Sequence, residues 1–399
     1  MGEQGVEPER SRALRELKAS LSQPWALVLM GASLSLMIFT LIAHHSGALH
    51  ELSSFYVALS PFFVFSWLSL LALLCLRRSA RHAALSSLLI ALPFALYLWP
   101  VSWLFRAESA LAPPPQLRLS TWNVERLGEL DFSEQRAATL KSRLGCVSET
   151  LDGAESQLFA LQEISKRRMR ALERQMGLKC RHVDYFGVGG SKRGGLATCA
   201  ALDSPWQISK TRDFALGGDW RALFVEVKGS AKRGARGRFN ILNVHFRPHG
   251  VSASDVQLAA EELAHGSPKA LSELLRRVVR NMRRQEEQVE GLLKAIGTLS
   301  DPTLIVGDFN APAYTSLHRA FAEAGDGAWV DAWSEVGVSF GATRYFEKII
   351  PPLRVDFIYA LKRGFELGSV SVSAVGCSDH RPLHLRATLK GSGEPSSGL

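Results

Sequence analysis

Residues 303–312, TLIVGDFNAP, run four apolar or β-branched residues into a glycine and then set Asp308 and Asn310 two apart. A single polar residue at the mouth of such a run would read as a helix cap. Two, separated by Phe309, read as a pair that holds something. The same placement recurs along the chain. Asn123 and Glu125 follow LRLSTW, Glu163 follows LFALQ, Asn243 and His245 close FNILNVH, Asp356 lies inside RVDFIYA, and Asp379 and His380 precede RPLHLRATL. Carboxylate, amide and imidazole groups can hold a ligand and move protons. Taken singly each has a plainer role: Glu163 as a solvated helix residue, Asp308 as a turn former, His380 as a surface or capping histidine. Spread from residue 123 to residue 380, they can meet only through the fold.

The elements that must position them are short strand-like runs at 117–124, 182–189, 195–202, 222–228, 239–246, 302–309, 354–360, 370–375 and 383–389. Many alternate apolar and polar residues, as half-buried strands do. Between them, SQLFALQEIS (156–165) is expected to be helical and to feed a basic helix, KRRMRALERQM (166–176). A long amphipathic helix is expected over 272–299, where apolar residues recur at three- and four-residue spacing. Strands and helices interleaved in this way predict a mixed α and β domain of two packed sheets flanked by helices. There is no internal repeat and no glycine-rich phosphate loop.

In order along the chain, Asn-x-Glu, Gln-Glu, His, Gly-Asp-Phe-Asn, Arg-x-Asp and Ser-Asp-His-Arg-Pro resemble the endonuclease/exonuclease/phosphatase superfamily, which includes DNase I-like nucleases, abasic-site endonucleases, sphingomyelinases and inositol-polyphosphate phosphatases. The resemblance spans about residues 116–390, and GDFN and SDHRP with RVDFIY between them are its most specific part. It implies an α/β (α+β) four-layer sandwich of two mainly antiparallel sheets, and a metal-dependent hydrolase acting on phosphodiester or phosphomonoester bonds. Such hydrolysis needs a hard cation on the phosphoryl oxygens and an activated water. Magnesium, with manganese as the alternative, prefers carboxylate oxygens and keeps several waters. The resemblance implies Glu163 as the principal metal ligand, supported by Asn123 and by Glu125, which stands where many members have Asp, with Asp379 touching the metal site. It further implies His380 against the scissile phosphate, oriented by Asp356. Asp308 would hold or deprotonate the attacking water, Asn310 would donate to a phosphoryl oxygen, and His245 would add a phosphate contact. Arg221, in DWRALFVEV, is read either as a phosphate contact or as a surface arginine, and Arg381 as structural.

The first third of the chain has a different composition. Residues 25–43, 55–76 and 83–105 carry no charge, and each is about as long as the roughly 20 residues a helix needs to cross a bilayer. Arg10, Arg12, Arg15 and Lys18 precede the first run and Arg77, Arg78 and Arg81 separate the second from the third, whereas the loop between the first and second has no Lys or Arg. The positive-inside rule then makes 1–24 a cytoplasmic basic segment and 25–106 three transmembrane helices. The catalytic domain, 113–390, falls on the periplasmic or outer face of a bacterial inner membrane, behind a stiff PPP spacer at 113–115 and ahead of a disordered tail at 391–399. Membrane-anchored bacterial members of the superfamily have a similar layout.

The chain carries a net charge of +9, and from residue 111 onward 39 Lys and Arg stand against 32 Asp and Glu. That excess suits an anionic substrate or a membrane surface without naming nucleic acid. The expected substrates are accordingly a nucleic acid, for which the basic helices at 166–176 and 272–294 speak, or a lipid-linked (pyro)phosphate, for which the expected anchor speaks; no protein partner is expected. A non-catalytic binding module is the reading from another class, and it would require the loss of a central residue. Cys146, Cys180, Cys199 and Cys377 are even in number, have no zinc spacing, and read equally as disulfides or as buried thiols.

Overall fold

Alternation along the strands explains both the sheets and what stands at their ends. In Leu117–Asn123 (β1) the inward positions are Leu117, Leu119, Thr121 and Asn123, while Trp122 packs into the outer apolar layer. Arg238–His245 (β7) likewise points Phe239, Ile241, Asn243 and His245 to one face, and Thr303–Asp308 (β8) points Leu304, Val306 and Asp308. Side chains alternate with period two, so each strand is apolar inward until its last positions, which are polar. The structure, a computed structural model, describes residues 117–125, 134–186 and 192–390 apart from 219, 251–252, 298, 300, 314, 325–326, 339–340, 345–352 and 375–376. The basic segment 1–24, the three spans expected over 25–106, the PPP spacer and the tail at 391–399 lie outside the described residues. Among the described residues no helix is long and apolar enough to cross a membrane.

Two six-stranded sheets form. The first has the order β11-β12-β1-β2-β4-β3, where β2 is Leu158–Gln162, β3 Leu178–Phe186, β4 Lys192–Ala201, β11 Phe365–Val372 and β12 Leu383–Leu389. The second has the order β5-β6-β7-β8-β10-β9, where β5 is Trp206–Ala215, β6 Arg221–Gly229, β9 Trp329–Asp331 and β10 Asp356–Leu361. In each sheet the central pair is parallel, β1 with β2 and β7 with β8, and every other pairing is antiparallel. Parallel pairing sends both strands of each central pair out at the same end. This brings Asn123 beside Gln162 in one sheet and His245 beside Asp308 in the other. The mainly antiparallel two-sheet arrangement agrees with the expectation.

Helices cover both outer faces. Glu134–Asp152 (α1) and Lys166–Met176 (α2) bury Leu144, Val147, Leu151, Met169 and Leu172 against Trp122, Phe159 and Leu161. After Ala253–Ala264 (α3), the long helix Lys269–Ile296 (α4) and Ser316–Glu323 (α5) pack Val289, Leu292, Ile296, Leu317 and Phe321 onto the second sheet; Ala332–Val336 (α6) follows β9. Phe309, fully buried, lies within 5.1–5.6 Å of the rings of Phe246, His318, Phe321, Phe357 and Tyr359 and so fixes the backbone between Asp308 and Asn310.

Several elements differ from expectation: α1, α3, α5, α6 and β9 were not expected, nor were β2 and β5 as strands. The segment 156–165, expected to be helical, contains β2, whose five residues are all buried. A central strand covered on both faces loses its alternation, and LFALQ then matches a helix turn equally well. β5 was not anticipated because most of it is exposed and polar at the sheet edge. All four cysteines considered are paired: Cys180 with Cys199, register partners on β3 and β4, and Cys146 on α1 with Cys377, three residues before His380.

Gly307 shows how tightly the second sheet is built beneath the site. Its φ is +142°, and a Cβ there would collide with the backbone carbonyl of Val244 on β7. Gly307→Ala is therefore expected to lose roughly 3 kcal/mol or more of stability. Urea denaturation followed by circular dichroism checks this; an unchanged midpoint would contradict the register described.

Candidate active site

The ends of the two central strand pairs face each other across the sandwich and are joined by amides. Gln162 Nε2 donates to Asn243 Oδ1 at 2.8 Å, and Asn243 Nδ2 donates back to the carbonyls of Leu161 and Ala197 at 3.2 and 3.0 Å. One layer further out, Asn123 Nδ2 donates to Asp308 Oδ2 at 2.9 Å and to Glu163 Oε1 at 3.2 Å, while its Oδ1 accepts from the backbone N–H of Glu125 at 3.0 Å. Asn123 thus spans the sheets and orients two carboxylates.

Asp308 is 1% exposed. Its Oδ1 accepts from the backbone N–H of Asn310 at 2.8 Å, and its Oδ2 accepts from Asn123 and, at 3.2 Å, from Asn310 Nδ2. His245 Nε2 and His380 Nε2 lie 3.4 and 3.7 Å from Oδ2. Burial alone would raise its pKa; the nearby His380, His245 and Arg344 and the Asn123 hydrogen bond outweigh burial and hold the carboxyl below its ordinary value. A carboxylate that stays ionised so readily is a weak base, better suited to orienting a water than to keeping its proton.

His380, also buried, pairs through Nδ1 with Asp356 Oδ2 at 2.8 Å. Burial pulls its pKa down, but the charges of Asp356 and Asp308 and the hydrogen bond to Asp356 prevail and raise it to about 9. Asp356 is pushed up, first by burial and then by Asp308, against the pull of His380. The proton of the pair is therefore favoured on the His380 ring, whose Nε2 faces Asp308. Its backbone is held as firmly: Trp122 Nε1 donates to its carbonyl at 2.9 Å, and its N–H donates to Ser378 Oγ at 3.1 Å. Thr343 Oγ1 accepts the N–H groups of Val355 and Asp356, both at 3.1 Å, and Arg354 clamps Asp331 through two hydrogen bonds of 2.9 and 2.7 Å, fixing the chain entering β10.

Glu163, Glu125 and Asn310 adopt left-handed backbone at φ +58°, +44° and +50°. Non-glycine residues avoid this region, and such conformations cluster where function demands them. Glu125 has its pKa raised by burial first, and then by the negative charges of Asp379 and Glu163. Glu125 thus lies within electrostatic reach of both Asp379 and Glu163, and all three carboxylates are partly open to solvent. Asp308, Asp356 and His380 also gather their ligand atoms within 4.8 Å, but all three are nearly fully buried and His380 is hydrogen-bonded to Asp356.

The structure brings together Asn123, Glu163, His245, Asp308, Asn310, Asp356, Asp379 and His380, with Glu125 at the edge. Arg221 does not join them: it begins β6 and its Nη1 donates to Asp213 Oδ2 at 2.5 Å. Four neighbours were not singled out from the sequence. Tyr185 Oη and His245 Nδ1 are 2.8 Å apart, and Trp220 stacks on Tyr185 at 5.1 Å with its edge to His245, so the imidazole is locked in place. Thr343 is the third. The fourth, Arg344, donates from Nη1 to Asn310 Oδ1 at 3.1 Å and places Nη2 3.4 Å from Asp379 Oδ2. None of the four follows a buried run in the way the acidic residues do, so only their neighbours in space reveal them.

The fold and site together are two sheets whose central strand ends converge on a buried carboxylate and an Asp–His pair, with further carboxylates beside them. The chain matches the Endonuclease/Exonuclease/phosphatase family over residues 120–380 and belongs to that family. No curated protein matches it in sequence. Among solved structures it resembles a functionally unknown conserved protein from Enterococcus faecalis V583 at 18% identity and a TM-score of 0.50, covering 69% of this chain and 100% of that one. It also resembles the endonuclease/exonuclease/phosphatase from Bacteroides vulgatus at 16% identity and a TM-score of 0.50, covering 69% and 99%. These likenesses establish the fold.

The electrostatics of His380 are directly measurable. Because its folded pKa lies above its ordinary 6.5, the stability it contributes is complete below pH 6.5 and is lost as pH rises through about 9, on the order of 3 kcal/mol at most. In protein held metal-free with EDTA, NMR titration is expected to give a His380 pKa near 9, and Asp356→Asn is expected to drop it to 6.5 or below. An unshifted titration in that variant would disprove the pairing.

Proposed function

We propose that the protein is a divalent-metal-dependent phosphoesterase, anchored in a bacterial inner membrane by three N-terminal helices with its catalytic domain on the periplasmic side. The observation that supports the hydrolase most strongly is the convergence on Asp308 of Asn123 from the opposite sheet, Asn310, His245 and the His380–Asp356 pair. Glu163, Glu125 and Asp379, with Asn123 in support, would hold Mg2+, or Mn2+ in its place. When bound, the ion supplies positive charge at the phosphoryl oxygens and lowers the pKa of a coordinated water.

The chain's own groups do the rest. The His380 imidazolium donates from Nε2 to a phosphoryl oxygen, where negative charge grows in the transition state. Asp356 keeps the ring charged and oriented. Asp308 orients the attacking water, and His245, braced by Tyr185 and Trp220, adds a contact on the phosphate. Asn310 presents its amide beside Asp308, held there by the Phe246 carbonyl at 2.9 Å and by Arg344. The two disulfides favour an oxidising compartment, in keeping with the proposed topology. The competing substrate is a lipid-linked (pyro)phosphate, favoured by confinement of the domain to the membrane plane.

Purified protein with magnesium, offered plasmid DNA and a polyprenyl pyrophosphate in parallel, tests the reading. Glu163→Ala is expected to weaken the metal dependence severely. His380→Ala is expected to lower turnover about a hundredfold or more while the fold persists. Robust activity in either variant would sink the mechanism. A reporter fused after residue 399 is expected to be active only outside the cytoplasm; activity confined to the cytoplasm would refute the proposed localisation.

A further inference from the structure

The long helix α4 carries Arg276, Arg277, Arg280, Arg283 and Arg284, and its buried stripe of Asn281, Gln285 and Gln288 grips the loop leaving β7. Asn281 Oδ1 accepts from Arg247 Nε at 2.9 Å and its Nδ2 donates to the His249 carbonyl at 2.9 Å. Gln288 Oε1 accepts from the Arg247 N–H at 2.9 Å, while Gln285 Nε2 donates to the carbonyls of Arg247 and Phe309 at 2.8 and 3.3 Å. Gly250, at φ +75°, completes the close approach, since a Cβ there would lie 2.7 Å from Asn281 Nδ2. The helix is thus fastened to the two loops that bear His245 and Asn310.

This places basic side chains on the flank of the site. Arg247 stands two residues beyond His245, about 7 Å along extended chain. Arg280 and Arg284 are one helical turn apart in the row beside the buried stripe, and both are exposed. Arg276 and Arg277 are matched by Glu273 and Asp255. By contrast, no carboxylate among the described residues pairs with Arg247, Arg280 or Arg284. Burial first, and then the charges of Arg284 and Arg280, draw the Arg247 pKa below its ordinary value. Three like charges gathered without a counter-charge repel one another, and a bound anion relieves that repulsion.

We propose that Arg247, Arg280 and Arg284 form a second phosphate subsite beside the catalytic centre, and that its ligand is the backbone of a nucleic-acid strand. This rests on the phosphoesterase reading above and narrows its substrate. The two phosphates of a lipid-linked pyrophosphate share one oxygen, whereas these arginines begin two residues from His245 and extend away along α4, which suits successive phosphates of a chain.

The test uses the full chain in detergent with magnesium, a single-stranded oligonucleotide, and bis(p-nitrophenyl) phosphate as a substrate with one phosphate only. In the double variant Arg280→Gln/Arg284→Gln, kcat/KM for the oligonucleotide should fall about tenfold or more. Its log–log dependence on salt should become shallower by about 1.4, since each single-strand phosphate that an arginine no longer neutralises removes about 0.7 from the slope. Hydrolysis of bis(p-nitrophenyl) phosphate should stay within about twofold of wild type. Anisotropy of the labelled oligonucleotide in EDTA should show the same weakening and reads the subsite independently of turnover. Loss of turnover on every substrate with that binding difference intact would remove the hydrolase reading and leave the subsite. Equal losses on both substrates, no loss on the oligonucleotide, or a loss seen only with a polyprenyl pyrophosphate would overturn the subsite as proposed.

Discussion

Asp308 is a carboxylate with almost no contact with water, and the rest of the site is arranged around that fact. A charge removed from solvent is tolerated only when hydrogen bonds and opposite charge replace its hydration. Here the replacement comes from both sheets: Asn123 from β1, the Asn310 amide and backbone from the turn after β8, and the rings of His245 and His380. These donors come from both sheets, so the site is complete only when the two sheets are packed together.

The charges divide into two groups with different surroundings. Asp308, Asp356 and His380 are sealed in, and the two carboxylates raise the pKa of the ring while His380 helps to lower that of Asp308. Glu163, Glu125 and Asp379 lie nearer solvent, and burial first, then the charges of Asp379 and Glu163, hold Glu125 above its ordinary pKa. The first group is paired within the protein, although Asp356 Oδ1 is buried without a hydrogen-bond partner; the second is partly open to solvent. Arg344 reaches both sides of this divide, through Asn310 and through Asp379. The Cys146–Cys377 disulfide ties the loop that supplies Asp379 and His380 to the helix layer on the far face of its sheet.

Much of this was legible in the residues. GDFN, RVDFIY and SDHRP mark the acidic and imidazole groups because period-two alternation makes a polar residue at the last inward position of an apolar strand conspicuous. The antiparallel runs were visible for the same reason wherever one face was polar. β2 was not, since a strand buried on both faces shows no alternation, and the exposed edge strand β5 has too little apolar signal to stand out. Arg221 had the right residue type beside the right strand, yet its guanidinium is occupied by Asp213 on the neighbouring strand.

The sequence by itself determined the strand ends, the identity of the groups placed there and the family that uses them, because these depend on residue type and local spacing. Only the tertiary structure decided which of those groups meet, which ring is charged, and that Tyr185, Trp220, Thr343 and Arg344 belong beside them. Those outcomes depend on distances between residues far apart in the chain and on the loss of water around them. Parallel pairing of β1 with β2 and of β7 with β8, and the packing of one pair over the other, set both.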